Sequence, residues 1–296
     1  MQILARLSQR AQAEASGGTT KVWAEIMALA KPGVVNLGQG FPDFPGHPVA
    51  REAAQEALAG GTQDQYSPIP GSVRLRRAIA TLYARMYPNT VPTTPDGAVR
   101  PLDPMSEVCV MTSGTEAVYC ALLSLVDPGD EVVFFEPCFP WYAPCIRMAG
   151  GVPKPVALPP PTFDLAPAEA AVRDAFSPRT KVCIFNTPHN PTGRVASRAE
   201  LALIAELCRE HDVLCVSDEV YEGCVAPPPR APAASAACPG WLTPPSPPPG
   251  ACTPGARTIG CATRRGCGIA RSLSARRPSS SHSPAGASAG HTAPPI

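Results

Sequence analysis

Between residues 108 and 217 the chain alternates short apolar runs with helical stretches, and this alternation limits its possible folds more than any other feature. Residues 108–111, 131–135, 154–157, 181–185 and 213–217 read as strands, and 116–126, 141–148 and 198–211 as helices between them. A strand followed by a helix and another strand needs a crossover, and therefore parallel pairing. Runs such as Val182-Cys183-Ile184-Phe185 show no polar alternation, as expected of strands covered on both faces. The expected fold is α/β, a mostly parallel sheet with helices on both faces.

The flanks read differently. Upstream, a helical pattern within residues 1–30 includes Trp23, Ile26, Met27 and Leu29 and should stop at Pro32. An extended segment at 34–37 and the turn-rich GQGFPDFPGHP follow, then helices at 49–59 and 72–87, the second with Leu75, Ile79, Leu82 and Met86 on one face. Beyond about residue 226 no period of 2 or 3.6 is visible. Every Asp, Glu and Lys lies at or before Glu222, whereas Arg230, Arg257, Arg264, Arg265, Arg271, Arg276 and Arg277 lie after it. The chain's 39 prolines are densest at 227–229 and 244–249. Such a tail cannot bury enough apolar surface to offset its ordering entropy and is expected to be disordered.

Composition narrows the setting. The twelve cysteines are scattered, and Cys109, Cys120, Cys183, Cys208 and Cys215 sit in apolar segments, so reduced thiols in a cytoplasmic protein are expected. The alternative compartment is the mitochondrion, because Arg6 and Arg10 precede the first acid, Glu14. No run approaches the roughly 18 apolar residues of a membrane span. Neither membrane nor nucleic-acid partners are expected. His47, His189 and His211 share no metal-ligand spacing with the cysteines, and Cys261 and Cys267 are not a C-x-x-C pair, so no metal is assigned.

The polar residues that could carry chemistry fall just after strands. Ser113-Gly114-Thr115 opens a helix, where unpaired N–H groups and the helix dipole suit a phosphate, although Ser and Thr are also ordinary N-caps. Asp218 ends a strand, where ligands bind in open α/β sheets; an acid there can pair with a pyridinium or another cation, bind a metal, or cap a turn. Tyr221 lies three residues on. Asn190, in the loop NTPHNPTG, can hydrogen-bond a ligand oxygen or merely hold an Asx turn. Phe139 can stack on a planar heterocycle or pack into the core. The convergence of these groups at strand ends is more specific than any one of them.

Residues from about Trp23 to Tyr221 resemble class I, fold-type I aminotransferases dependent on pyridoxal phosphate, and among them the kynurenine and glutamine-type branch. The likeness rests on VNLGQGFPDFP, DQYSPIPG, SGTEAV, DPGDEVVFFEPCFPWY, NTPHNPTGRV and SDEVYE, in the family's order. It implies residues 1–45 as an N-terminal arm and part of a small domain, 46–225 as an incomplete cofactor-binding large domain, and 226–296 as the low-complexity tail. It implies that Ser113, Gly114 and Thr115 hold the cofactor phosphate, that Phe139 stacks on the ring, and that Asp218 pairs with the ring nitrogen. Asn190 and Tyr221 would bond the phenolic oxygen, Gly40 and the Asn190 amide the substrate carboxylate. Tyr66 would reach the phosphate of a neighbouring subunit, making a homodimer. The implied reaction moves an amino group between an amino acid (aromatic, kynurenine-like or glutamine-like) and a 2-oxo acid. The same chemistry would also serve a β-lyase acting on cysteine conjugates.

One group is missing from this pattern. The family's Schiff-base lysine lies three to four dozen residues after the strand-end aspartate, whereas the lysines here are Lys21, Lys31, Lys154 and Lys181, all before Asp218. Residues 257–262, RTIGCA, resemble the start of the lysine-bearing stretch and would set Arg264 at the lysine, but the surrounding sequence does not support that alignment. A guanidinium stays protonated and cannot form the imine. No catalytic residue is therefore assigned, and a catalytically inactive fold or dimerisation partner is the competing expectation. The change of composition near Cys224, together with the lack of a counterpart to the family's C-terminal small domain, reads as a truncation, a shifted reading frame, a retained intron or a natural tail.

Overall fold

The computed structural model describes residues 8–17, 19–29, 31, 33, 35, 40, 44–61, 64–87, 100–225, 258–264 and 267–270, the last two segments as backbone. Helices α1 (Gln9–Gly17) and α2 (Thr19–Ala28) replace the single N-terminal helix expected. The extended segment predicted at 34–37 lies mostly outside the described residues. Arg10 donates to the Met148 carbonyl at 2.8 Å and Glu14 pairs with Arg147, so α1 is fastened to the main body. Helix α3 (Pro48–Ala59) starts with proline in its first turn, where the missing N–H costs nothing, and the His47 ring accepts the Val49 N–H at 3.3 Å. None of its side chains is buried.

Helix α4 (Val73–Met86) buries Arg76, Ile79, Ala80 and Tyr83. The expected stripe is displaced by one position, and Leu75 is exposed. The reason is a hydrogen-bond demand: the buried Arg76 guanidinium donates to the carbonyls of Met105 at 2.6 Å and Val108 at 2.9 Å. Just before α4, Gly71 has φ +99°, and a Cβ there would come within 2.6 Å of the Val110 Cβ. Gly71→Ala is expected to destabilise the fold by about 2–4 kcal/mol, from the left-handed backbone and the overlap together. An unchanged urea midpoint would contradict that expectation.

The sheet follows. Strand β1 (Cys109–Met111) leads into α5 (Gly114–Leu125), β2 (Glu131–Glu136) into α6 (Tyr142–Ala149), and β3 (Val152–Ala157) into a 3₁₀ turn and α7 (Glu169–Ala175). Next come β4 (Thr180–Asn186), α8 (Arg198–Glu210) and β5 (Leu214–Asp218). Strands β3, β2, β4 and β5 pair in parallel, as the alternation requires. Period-2 geometry sends Val132 and Phe134 to the α5 and α6 side with Val182, Ile184 and Val216, and Val133 and Phe135 to the α7 and α8 side with Cys183 and Cys215. Cys183, Cys208 and Cys215 are buried, as expected of small apolar side chains, while Cys109 and Cys120 are partly covered.

The expectation of a featureless tail is corrected at two places. β6 (Thr258–Arg264) pairs in parallel with β5, and β7 (Cys267–Ala270) runs antiparallel between β6 and β1. The order is β1-β7-β6-β5-β4-β2-β3. Without further strands the edge of β5 would carry a row of unpaired backbone groups, and a stretch with Thr258, Ile259, Cys261 and Thr263 can supply the ladder without a period of its own. Residues 226–257 and 271–296 lie outside the described residues.

Candidate active site

The polar groups singled out in the sequence meet at the C-terminal ends of the strands. A cavity of about 310 Å³ is lined by Ser113, Gly114 and Thr115 after β1, Phe139, Trp141 and Tyr142 after β2, Asn186 and Asn190 after β4, and Asp218 and Tyr221 at the end of β5. Gly40 and Tyr66 are not among these residues. Gly40 is exposed, and Tyr66 is fully exposed in the single chain.

Ser113 caps α5: its hydroxyl oxygen accepts the Glu116 N–H at 3.1 Å, and Glu116 reaches back to the Thr112 N–H. The ordinary capping role is thus realised. It leaves the Ser113 hydroxyl proton for a further acceptor, at a helix N-terminus whose dipole favours an anion.

Asp218 is held on both oxygens. Tyr142 donates its hydroxyl to Oδ2 at 2.5 Å, and the Val220 N–H reaches Oδ1 at 3.2 Å. Burial raises its carboxyl above the ordinary carboxylate range, and these two donors pull it part of the way back. Asn186 fixes the neighbouring loop. Its amide donates to the carbonyls of Asp218 at 2.8 Å and Pro188 at 3.2 Å, and its oxygen accepts the Asn190 N–H at 2.7 Å. Farther along the loop, Arg194 pairs with Asp164 and Glu200. Cys145, also in the wall, has its thiol pushed up to about 11 by burial, with Glu14 acting the same way, so it stays protonated at neutral pH.

At the rim, Glu222 accepts the hydroxyls of Tyr83 at 3.0 Å and Tyr87 at 2.8 Å, tying the turn that carries Tyr221 to α4. Tyr142 and Asn186 are site residues that the sequence reading did not single out. The available signals were an aromatic residue three places after Phe139 and a polar residue closing an apolar run. Among the described residues no group of three or more His, Cys, Asp or Glu could hold a metal ion, and no helix is long and apolar enough to cross a membrane.

Comparison with known proteins gives a consistent result. Residues 32–244 match the family described as aminotransferase class I and II. The chain is 46% identical over 204 residues to a probable N-succinyldiaminopimelate aminotransferase of Mycobacterium tuberculosis, covering 69% of this chain and 48% of that protein. It is 40% identical over 213 residues to human kynurenine–oxoglutarate transaminase 1, covering 68% and 47%. The solved N-succinyldiaminopimelate aminotransferase of Mycobacterium tuberculosis superposes with a TM-score of 0.70 at 35% identity, over 90% of this chain and 64% of that one. The chain thus spans about half the length of the curated relatives it matches.

Proposed function

The chain belongs to the class I and II aminotransferase family, and on that premise we propose that it holds pyridoxal phosphate at the strand ends and serves amino transfer between an α-amino acid and a 2-oxo acid. The observation that carries the reading is Asp218, a carboxylate that sits against the cost of burial in a cavity shared with a helix N-terminus and an aromatic ring. These residues fit the group: an acceptor for a protonated ring nitrogen, a face for the ring, and N–H donors for a dianionic phosphate.

When bound, the cofactor supplies a pyridinium ring that draws off the electron pair left when the amino acid loses its α-proton. Asp218 would keep the proton on the ring nitrogen. Phe139 would lie against the ring, and Ser113, Gly114 and Thr115 would receive the phosphate. Asn190 and Tyr221 would bond the phenolic oxygen, and Gly40 with the Asn190 amide would meet the substrate carboxylate. Relatives named for kynurenine and N-succinyldiaminopimelate have the α-amino acid head in common, so the proposal is tied to that head.

Full exposure of Tyr66 and Ile69, with Phe44, Val49 and Leu58 also exposed, supports a homodimer in which Tyr66 reaches the partner's phosphate.

A second reading is cofactor binding without turnover. It is favoured by the lysines: among the described residues none lines the cavity, and Lys154 and Lys181 stand in the first halves of β3 and β4, away from the strand ends that form it. One set of measurements separates the readings. Titration with pyridoxal phosphate is expected to quench tryptophan fluorescence saturably, since Trp141 is in the wall. Binding with a borohydride-trapped lysine adduct and oxo-acid product supports amino transfer. Binding with neither supports the second reading, and no binding rejects both. Sedimentation of the full chain tests the homodimer, which a monomer at micromolar concentration would refute.

A further inference from the structure

We propose that Tyr142 is a positioning residue that aligns two walls of the cavity at once, fixing the Asp218 carboxylate through its hydroxyl and the plane of Phe139 through its ring. Tyr142 opens α6 and is 3% exposed, packed in the same apolar cluster as Ala117, Val118 and Ile146. Its hydroxyl lies 2.5 Å from Asp218 Oδ2. Its ring meets that of Phe139 edge to face, with centroids 5.7 Å apart and planes at 71°, and its N–H donates to the Phe139 carbonyl at 3.2 Å. A buried tyrosine hydroxyl needs some partner, and a backbone carbonyl would serve. Here the partner is the carboxylate at the end of β5, which reaches the fold from a different part of the chain.

The consequence for Asp218 follows from the balance around it. Burial favours its protonated form, and the donors opposing this are Tyr142 and the Val220 N–H. Among the residues with described side chains, the other titratable groups near it are Cys145 from α6 and Glu219 and Tyr221 from its own turn. Among the described residues, no cation lines the cavity. Replacing the phenol therefore removes one of the two groups that oppose the effect of burial.

The ligand side of this inference rests on the proposed function, but its first test does not. In the full chain labelled with carboxyl-¹³C aspartate, the Asp218 signal is identified by its loss in Asp218→Asn. Tyr142→Phe is expected to move its titration midpoint to higher pH. Site-specific fluorotyrosine at position 142, a stronger donor of the same shape, should move it to lower pH and guards against a folding defect in the phenylalanine variant. A midpoint unmoved by either substitution overturns the proposal.

The second test uses pyridoxal phosphate itself. Tyr142→Phe should weaken binding about tenfold near neutral pH and shift the acid limb of the affinity profile upward. Combined with Asp218→Asn it should add almost nothing. Full additivity overturns the coupling and indicates a purely structural role. If the unsubstituted protein binds no pyridoxal phosphate, the proposed function fails, and the carboxyl titration alone decides the role of Tyr142.

Discussion

Asp218→Asn is expected to weaken pyridoxal phosphate binding about 100-fold while raising the melting temperature of the cofactor-free protein at neutral pH. The loss follows from leaving a ring cation without its partner in a poorly solvated cavity, on the order of 3 kcal/mol. The gain has the opposite origin. Asp218 titrates above its unfolded value, so the folded state binds its proton more tightly than the unfolded chain does. The stabilisation tied to that proton is complete below the unfolded value of about 3.9 and is lost as pH rises through the folded one. At pH 7 the carboxylate is therefore a net cost to the empty protein, which an isosteric amide removes. Thermal melts at pH 3 and pH 7 check the sign, since the advantage of the variant should appear only at the higher pH. An amide that lowered stability at pH 7 would mean that the contacts with Tyr142 and Val220 outweigh burial.

The second large effect concerns the layer beneath the cavity. Phe134, in the centre of β2, is 1% exposed and packs in one apolar cluster with Leu122, Tyr142 and Ile146. Phe134→Ala is expected to cost about 3–5 kcal/mol, from lost burial and the void left behind. That is a large share of the roughly 5–15 kcal/mol by which a domain is stable. A urea midpoint within error of the parent would show that α5 and α6 collapse into the space. Because Tyr142 belongs to the same cluster, weaker cofactor binding should accompany the loss even in the folded fraction.

How much of this could be read in the sequence depended on the kind of signal. The strands β2, β4 and β5 are legible because burial on both faces leaves an uninterrupted apolar run, Asp218 because it closes such a run, and Asn190 because it lies in the Asn- and Pro-rich loop that follows one. The buried face of α4 was misplaced by one position because periodicity counts apolar residues, whereas Arg76 is drawn inward by two carbonyls far along the chain. Strands β6 and β7 carry no periodic signal, since Gly, Cys and Arg interrupt them and their pairing is supplied by the edge they join. Tyr142 carries no local signal, because its role depends on a contact across 76 positions of sequence. Residues 49–59 read simply as a helix, and only the fold shows that nothing among the described residues covers its Val49 and Leu58.

The carboxylate of Glu222 has a bearing on how the rim opens. A turn leaving the last residue of a strand ordinarily frays on its own, exchanging its amide hydrogens through small local openings. Here the phenols of Tyr83 on α4 and of Tyr87 at its C-cap grip the turn, and α4 is itself anchored by Arg76. The amides of residues 221–224 should therefore exchange in step with those of α4, and Glu222→Gln should release the turn to exchange faster while leaving the helix protected. The mouth of the cavity would then open as part of a larger cooperative unit, rarely and all together.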